Sequence, residues 1–290
     1  MTRGTDILLT ALAPAIWGST YYVTTEFLPP GYPVTVAMLR ALPAGLLLLA
    51  IVRQLPKPDW LLRVFILGAL NFAIFWVMLF ITAYRLPGGV GATVGALQPL
   101  IVILLAFFAL GTPIRTFSVM AALSGIGGVA LLVLTPEAAL DPIGVLAGLG
   151  GALSMAAGTV LSRKWRPPVS LLTFTAWQLT AGGLLLLPVA FYLEPPLPVL
   201  STNNILGLSY LGLIGAAFTY ALWFRGIARI EPAAVSTLGF LSPATALTLG
   251  WLLLDQQLGG LQILGIAIIL ASVWLSQKPP QRPRLAPAAS

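Results

Sequence analysis

The chain contains neither cysteine nor histidine, and it is poor in charge. Without cysteine, no disulfide and no thiolate metal site can form. Without histidine, the chain lacks the commonest metal ligand and the commonest general acid–base group. Only 8% of its residues are charged, against about 25% in a typical soluble domain. So few polar side chains cannot cover a globular surface, and we therefore expect lipid to cover it.

Hydrophobic residues make up 58% of the chain and fall into ten segments long enough to cross a bilayer as helices. The first segment continues past the signal-peptide-like Ala11-Leu12-Ala13 to Val23, so we interpret it as a span. The gaps between segments are short, which predicts antiparallel neighbours. The sequence thus indicates an all-α, polytopic membrane protein with ten transmembrane helices. The predicted spans are residues 5–26, 34–53, 60–84, 88–110, 115–134, 142–162, 169–192, 203–224, 232–254 and 258–277.

Basic residues concentrate on one side of this topology. Ten spans place both termini on the same side, and an excess of Lys and Arg marks the cytoplasmic side. The opposite loops hold only Arg85, and Arg40 lies inside a span, which leaves thirteen of the 15 basic residues for the side of the termini. We therefore expect cytoplasmic termini, a disordered cytoplasmic tail at 278–290, and no nucleic-acid partner despite the net charge of +7. The thirteen are Arg3, Arg53, Lys57, Arg63, Arg115, Arg163, Lys164, Arg166, Arg225, Arg229, Lys278, Arg282 and Arg284.

Two halves of the chain repeat each other. The stretch "RALPAGLLLLA" at 40–50 resembles "QLTAGGLLLLP" at 178–188, and "TVGALQP" at 93–99 resembles "TLGFLSP" at 237–243. The two matches occur in the same order and at nearly the same spacing. The sequence therefore predicts one five-helix repeat over 1–134 and a second over 135–277. Because five is odd, the second repeat crosses the membrane in the opposite sense, and inverted repeats are typical of secondary transporters.

The order of these motifs resembles the drug/metabolite transporter superfamily, and within it the EamA-type bacterial exporters. The resemblance covers 5–277 and rests on "APAIWGSTYYVTTEFLP" (13–29), "AMLRALPAGLLLL" (37–49) and the "LQPL" and "LSPA" helices. Among these exporters, the chain is most similar to those for aromatic and neutral amino acids. The resemblance implies a multi-pass protein of the bacterial inner membrane, with a central cavity lined mainly by helices 1, 3, 4, 6, 8 and 9.

Arg40 is the only basic residue placed well inside a span. A buried charge there must face protein or water. It could hold a substrate carboxylate, close an outer gate, or pair with Glu26 near the outer end of the first span. Alternatively, it is structural, bound to backbone carbonyls or reaching the interface. Its counterpart in the second repeat, Gln178, faces the opposite compartment, which would explain why only one copy carries a charge.

Aromatic and polar side chains recur at helical spacing in the third and eighth spans. Such residues often serve packing alone, but those in mid-span are candidates for an apolar, aromatic pocket with a few polar groups. The predicted substrate-binding residues are Trp17, Arg40, Asn71, Phe75, Trp76, Gln98, Trp177, Thr219, Tyr220 and Ser242.

Pro99 and Pro243 lie inside the fourth and ninth spans. Proline removes a backbone donor and leaves carbonyls free one turn earlier, near Gly95 and Gly239. Breaks of this kind can bind substrate or act as hinges; the alternative is an ordinary kink, which membrane helices tolerate. We predict these four residues as hinges.

Several functional classes are disfavoured. Every carboxylate lies at a span end or in a loop, which argues against an antiporter with an embedded acid. The sequence has no phosphate-binding loop of the kind found in ATPases. It also has no set of residues that would indicate an enzyme, and no metal or cofactor is expected. We predict a secondary transporter that exports amino acids and related small metabolites by alternating access. A multidrug or other metabolite exporter, and a non-transporting membrane subunit, are the alternatives. The coupling ion and the oligomeric state stay open, and a monomer is compatible with the sequence.

Overall fold

A computed structural model describes residues 2–85, 94–133, 141–253 and 259–277 of the chain. Regular structure within these ranges is helical and forms ten segments. The third, α3, covers residues 58–85. The others are α1 Arg3–Phe27, α2 Pro33–Val52, α4 Gln98–Leu110, α5 Thr116–Val133, α6 Pro142–Lys164, α7 Leu171–Leu193, α8 Thr202–Arg229, α9 Pro232–Leu253 and α10 Gly260–Ser276.

The ten segments agree with the ten predicted spans, and their outer surface is that of a membrane protein. Seven are long and apolar enough to cross a bilayer; α4, α5 and α10 are apolar helices of 18 residues or fewer. Large apolar side chains point outward, for example Leu8 (70% exposed) and Phe108 (80%). Because water would penalise such a surface, the chain is confirmed as an all-α, polytopic membrane protein.

The eighth predicted span, 203–224, was too short. The helix α8 continues to Arg229, so Arg225 and Arg229 lie in its last turns and not in a loop. Side chains from other helices hold this end. Asp6 of α1 pairs with Arg225 at 2.5 Å and with Arg229 at 3.3 Å. Arg163 of α6 donates hydrogen bonds to the carbonyls of Ile227, at 2.8 Å, and of Ile230.

Some predicted boundaries cannot be compared with the structure. The first part of the fourth span (88–93), the ends at 134 and 254, the start at 258 and the tail 278–290 lie outside the described residues.

The main helix contacts join the first half of the chain to the second. The helix α2 packs against α7, and α5 packs against α10. The helix α1 packs against α8 and α9, while α6 packs against α3 and α4. The two halves are therefore interleaved and do not form separate bundles.

The two similar stretches at 40–50 and 178–188 form the contact between α2 and α7. A Cβ added at Gly45 would lie 2.5 Å from the backbone nitrogen of Thr180, and one added at Gly183 would lie 2.6 Å from Cα of Leu42. Gly45 and Gly183 occupy the same position in the two stretches, and so do Leu42 and Thr180. Leu42 meets Gly183 and Gly45 meets Thr180, so residue numbers rise along α2 as they fall along α7. The two helices are therefore antiparallel. Small residues allow their backbones to touch.

Irregular turns also occur at matching positions. One wide π-helical turn interrupts α3 at Ala69–Ala73, and another interrupts α8 at Leu213–Phe218. Their first residues are equivalent when 93–99 is aligned with 237–243. The helix that begins at Gln98 follows a turn at residues 96–97, and α9 is interrupted at residues 239–240. Pro99 and Pro243 thus lie in the first turn after each break, where a missing N–H matters least.

We expect Gly45→Ala to destabilise the folded protein by about 1–3 kcal/mol, because its methyl group would collide with the backbone of α7. Gly127→Ala in α5 is the matched control, since nothing lies within 4 Å of its added Cβ. Thermal unfolding of the purified variants in detergent measures the difference. Equal melting temperatures for the two variants would contradict the close α2–α7 contact.

Candidate functional site

A crevice of about 200 Å³ lies between the ends of α6 and α8, with the start of α7 beside it. Two arginines, Arg163 and Arg166, and two aromatic residues, Phe174 and Phe224, line it. Among the described residues that line it, none is acidic. Typical ligand pockets measure about 300–1,000 Å³, so a small solute could enter fully only if the aromatic side chains moved. The remaining lining residues are Ser162, Leu171, Ile227 and Ala228.

Seven aromatic rings continue from the crevice toward the opposite face of the membrane. We call this group the aromatic column; it consists of Trp17, Phe72, Trp76, Phe174, Tyr220, Trp223 and Phe224. Phe224 is 5.9 Å from Tyr220 between ring centroids, and Tyr220 is 4.9 Å from Trp17 and 4.7 Å from Phe72. Edge-on and tilted contacts at these separations are favourable. The column fills the space between α1, α3, α7 and α8.

Helical periodicity explains how the column is built. Phe72 and Trp76 are four residues apart on α3, and Tyr220 and Phe224 are four apart on α8, so each pair shares one face of its helix. Trp76 and Tyr220 also occupy equivalent positions of the two halves, and their ring centroids are 6.5 Å from each other. The predicted residues Trp17, Trp76 and Tyr220 are thus brought together.

Three hydrogen bonds and one cation–π contact fix the column. Trp17 Nε1 donates to Thr219 Oγ1 at 2.9 Å, and Thr219 Oγ1 donates to the carbonyl of Gly215 at 2.8 Å. Arg40 Nη2 donates to the same carbonyl at 2.6 Å. The Arg40 guanidinium lies 5.3 Å from the centre of the Trp76 ring, within the range of a cation–π interaction.

Arg40 does not pair with Glu26, which was one expectation from the sequence. The described part of the chain gives Arg40 no carboxylate partner; Glu26 is exposed at the end of α1. The reason is the length of the arginine side chain, which reaches across to α8, where the π-helical turn presents the Gly215 carbonyl. Arg40 Nε is buried and has no hydrogen-bond partner among the described residues.

Asn71 lies in a second, amide-rich group. Its Nδ2 donates to Gln178 Oε1 at 2.8 Å and to Ser162 Oγ at 3.1 Å. Asn71 and Gln178 are almost fully buried, at 1% and 0% exposure. Ser162 also lines the crevice, so this group lies directly behind the crevice wall.

The other four predicted binding residues are not part of the column. Trp177 is buried against α3, and its Nε1 donates to the carbonyl of Gln54 at 2.6 Å. Phe75 lines a separate cavity of about 30 Å³ together with Gly95. Gln98 begins α4 and is half-buried. The carbonyl of Ser242 lies against Gly18, where an added Cβ would be 2.6 Å away.

Sequence reasoning missed Ser162, Phe174 and Gln178 as site residues, and it assigned Arg163 and Arg166 only to membrane orientation. A signal for Gln178 was present, because it is the counterpart of Arg40. Ser162 and Phe174 carry no such signal. Packing determines which faces of α6 and α7 turn toward α8, and the sequence of a helix that is apolar all round does not reveal that face.

Ten packed apolar helices with a crevice at one end define a multi-pass membrane protein. The chain belongs to the EamA-like transporter family, whose model matches it twice, at residues 5–134 and 142–277. This confirms the family resemblance read from the motifs. The family is one of transporters and not of enzymes.

Individual relatives cover nearly the whole chain. Protein PecM of Dickeya dadantii is 47% identical over 91% of this chain and 90% of its own length. The uncharacterized inner membrane transporter YedA of Escherichia coli K12 is 28% identical over 90% of this chain and 86% of its own length. A crystal structure superposes with a TM-score of 0.81 at 20% identity, covering 95% of this chain and 98% of the other, which shows the shared fold.

We expect the Trp17–Thr219 hydrogen bond to couple α1 to α8. Trp17→Phe and Thr219→Val should each destabilise the protein, and the double variant should lose less than the sum by about 1 kcal/mol, because either change alone removes the bond. Unfolding of the four proteins in detergent gives this double-mutant cycle. Strict additivity would mean that the bond contributes nothing.

Proposed function

We propose that the protein is a secondary transporter that exports amino acids and related small metabolites bearing a carboxylate. The observation that carries this proposal is the crevice, which is lined by two arginines and two aromatic rings and has no acidic group among the described lining residues. Guanidinium groups attract carboxylates, and aromatic walls suit apolar or aromatic side chains.

The transport path runs from the crevice along the aromatic column. In the present arrangement the column is closed, since neighbouring rings such as Phe72 and Tyr220 are in contact. A solute that reaches Phe174 and Phe224 must separate the rings of the column to move further. The column ends beside Arg40, which then acts at the outer gate.

Alternating access in this protein rests on a proposed inverted repeat of two five-helix units, 1–134 and 135–277. The support comes from the matching π-helical turns, the matching breaks before Pro99 and Pro243, and the reciprocal contacts of Gly45 and Gly183. Two units of opposite orientation can exchange conformations and so open a central path to one side at a time. Gly95, Pro99, Gly239 and Pro243 serve as the hinges.

We further propose that the protein lies in the bacterial inner membrane with both termini in the cytoplasm. The crevice then opens to the cytoplasm, because Arg163 and Arg166 belong to the basic end of the molecule. This direction fits an exporter, which collects its substrate inside the cell. The inner-membrane location of the transporter YedA supports the assignment.

Uptake into liposomes that contain the purified protein tests the proposal. We expect saturable uptake of neutral and aromatic amino acids, weaker uptake of lysine, and competition by an aromatic carboxylate but not by the matched aromatic amine. Protein-free liposomes are the control, and an imposed pH gradient tests for proton coupling. Uptake of bulky cations with no amino-acid uptake would contradict the proposal and favour a multidrug exporter.

Arg166 offers a more specific prediction. Arg166→Gln should raise KM for a carboxylate substrate about threefold to fivefold and leave kcat unchanged, because an exposed charge pair contributes up to about 1 kcal/mol. High salt should reduce the difference. Lys164→Gln is the matched control, since it removes an equal charge two residues away and outside the crevice lining. The same KM in both variants would show that Arg166 does not recognise substrate.

A further inference from the structure

Two hydrogen bonds occupy equivalent positions in the two halves of the molecule. Arg40 Nη2 of α2 donates to the Gly215 carbonyl in the π-helical turn of α8. Asn71 Nδ2, in the π-helical turn of α3, donates to Gln178 Oε1 of α7. Gln178 is the counterpart of Arg40 when 40–50 is aligned with 178–188, and Gly215 is the counterpart of Asn71 when the two π-helical turns are aligned. Each bond is therefore the counterpart of the other.

The two bonds are built from different groups: Arg40 reaches the backbone carbonyl of Gly215, whereas Asn71 and Gln178 meet through their side-chain amides. A Cβ at Gly215 would lie 3.5 Å from Arg40 Nη2, which is an ordinary contact, so the guanidinium occupies the space that a longer side chain at 215 would need. Both positions thus carry a polar bridge between neighbouring helices, and the charge of Arg40 is one way to provide it.

The two bonds lie toward opposite faces of the membrane. Arg40 is seven residues, or ~10 Å of helix, from the start of α2 at Pro33, which is the end away from the basic face. Gln178 is seven residues from the start of α7 at Leu171, on the basic face. Ser162, which lines the crevice, is 3.3 Å from Gln178 Oε1, so this second bond lies just beneath the crevice.

We propose that these bonds are the outer latch (Arg40–Gly215) and the inner latch (Asn71–Gln178) of the transport cycle, a proposal that rests on the inverted repeat and alternating access argued above. Each latch ties a helix of the α2–α7 pair to a π-helical turn. Such turns are frequent at functional sites. Opening one face breaks its own latch while the other holds the opposite face closed.

Accessibility of single cysteines to a membrane-impermeant maleimide tests the latches without any substrate, and the absence of native cysteine makes each introduced thiol unique. Ala228→Cys reports on the crevice, and Ala37→Cys, buried one turn before Arg40, reports on the outer face. Arg40→Gln should raise labelling of Cys at 37 from outside and lower labelling at 228 from the basic side. Gln178→Ala should do the reverse. We expect changes of about fivefold, as for the loss of one hydrogen bond between two states.

Exchange of the latch chemistry is the decisive control. The double variant Arg40→Gln/Gly215→Asn rebuilds the outer latch with the amide pair of the inner one and should restore the original labelling. Gly215→Ala adds a Cβ without a polar group and should leave the Arg40 bond and the labelling unchanged. A merely structural role for Arg40 would lower thermal stability but would not shift labelling in opposite directions at the two faces.

Parallel changes at both reporters, or no recovery in the double variant, would overturn the proposal. If Arg40→Gln fails to fold, the inner latch decides alone: Gln178→Ala must raise labelling at 228 and lower it at 37. Opposite shifts without amino-acid uptake would keep the latches and reject the proposed substrate. Uptake with unshifted labelling would keep the substrate and reject the latches.

Discussion

Direct backbone contact between α2 and α7 is the interaction on which the rest of the structure depends. Apolar side chains in a bilayer are already surrounded by lipid, so burying them against another helix gives no hydrophobic gain. Helices there associate through close packing and polar contacts. Gly45 and Gly183 supply that packing reciprocally, each against the other helix. The contact places Arg40 and Gln178 on either side of the membrane centre. From there each side chain reaches a different neighbouring helix, α8 in one case and α3 in the other.

The aromatic column and the two polar bonds depend on this pair in different ways. The column is held by many weak ring contacts, which can slide or separate singly. Each polar bond is a discrete contact in a medium without water, where an unpaired group is expensive. A protein that must close firmly and yet open on demand is well served by this combination. In the proposed transport cycle, the rings seal the path and the polar bonds determine which face stays closed.

Much of the fold was predictable from the sequence, while the site was predictable only in part. The lengths of the hydrophobic segments and the positions of the charged residues between them predicted all ten helices. The bilayer constrains both, because a span needs a minimum apolar length and most charges stay outside it. The helical spacing of aromatic residues in the third and eighth spans indicated Trp76 and Tyr220 as candidate site residues. The contact of Trp177 with Gln54, by contrast, depends on how helices rotate about their axes. That rotation leaves little trace in helices that are apolar all round.

Distances between spin labels in liposomes test the proposed transport cycle most directly, because in that cycle the two halves move while the α2–α7 contact stays fixed. One pair of labels, at Lys164 and Ala228, spans the crevice; the other, at the lipid-facing Leu47 and Leu184, spans α2 and α7. We predict that substrate redistributes the first pair between two distances and leaves the second unchanged. A single, unchanged distance across the crevice, or movement within the α2–α7 pair, would contradict the account.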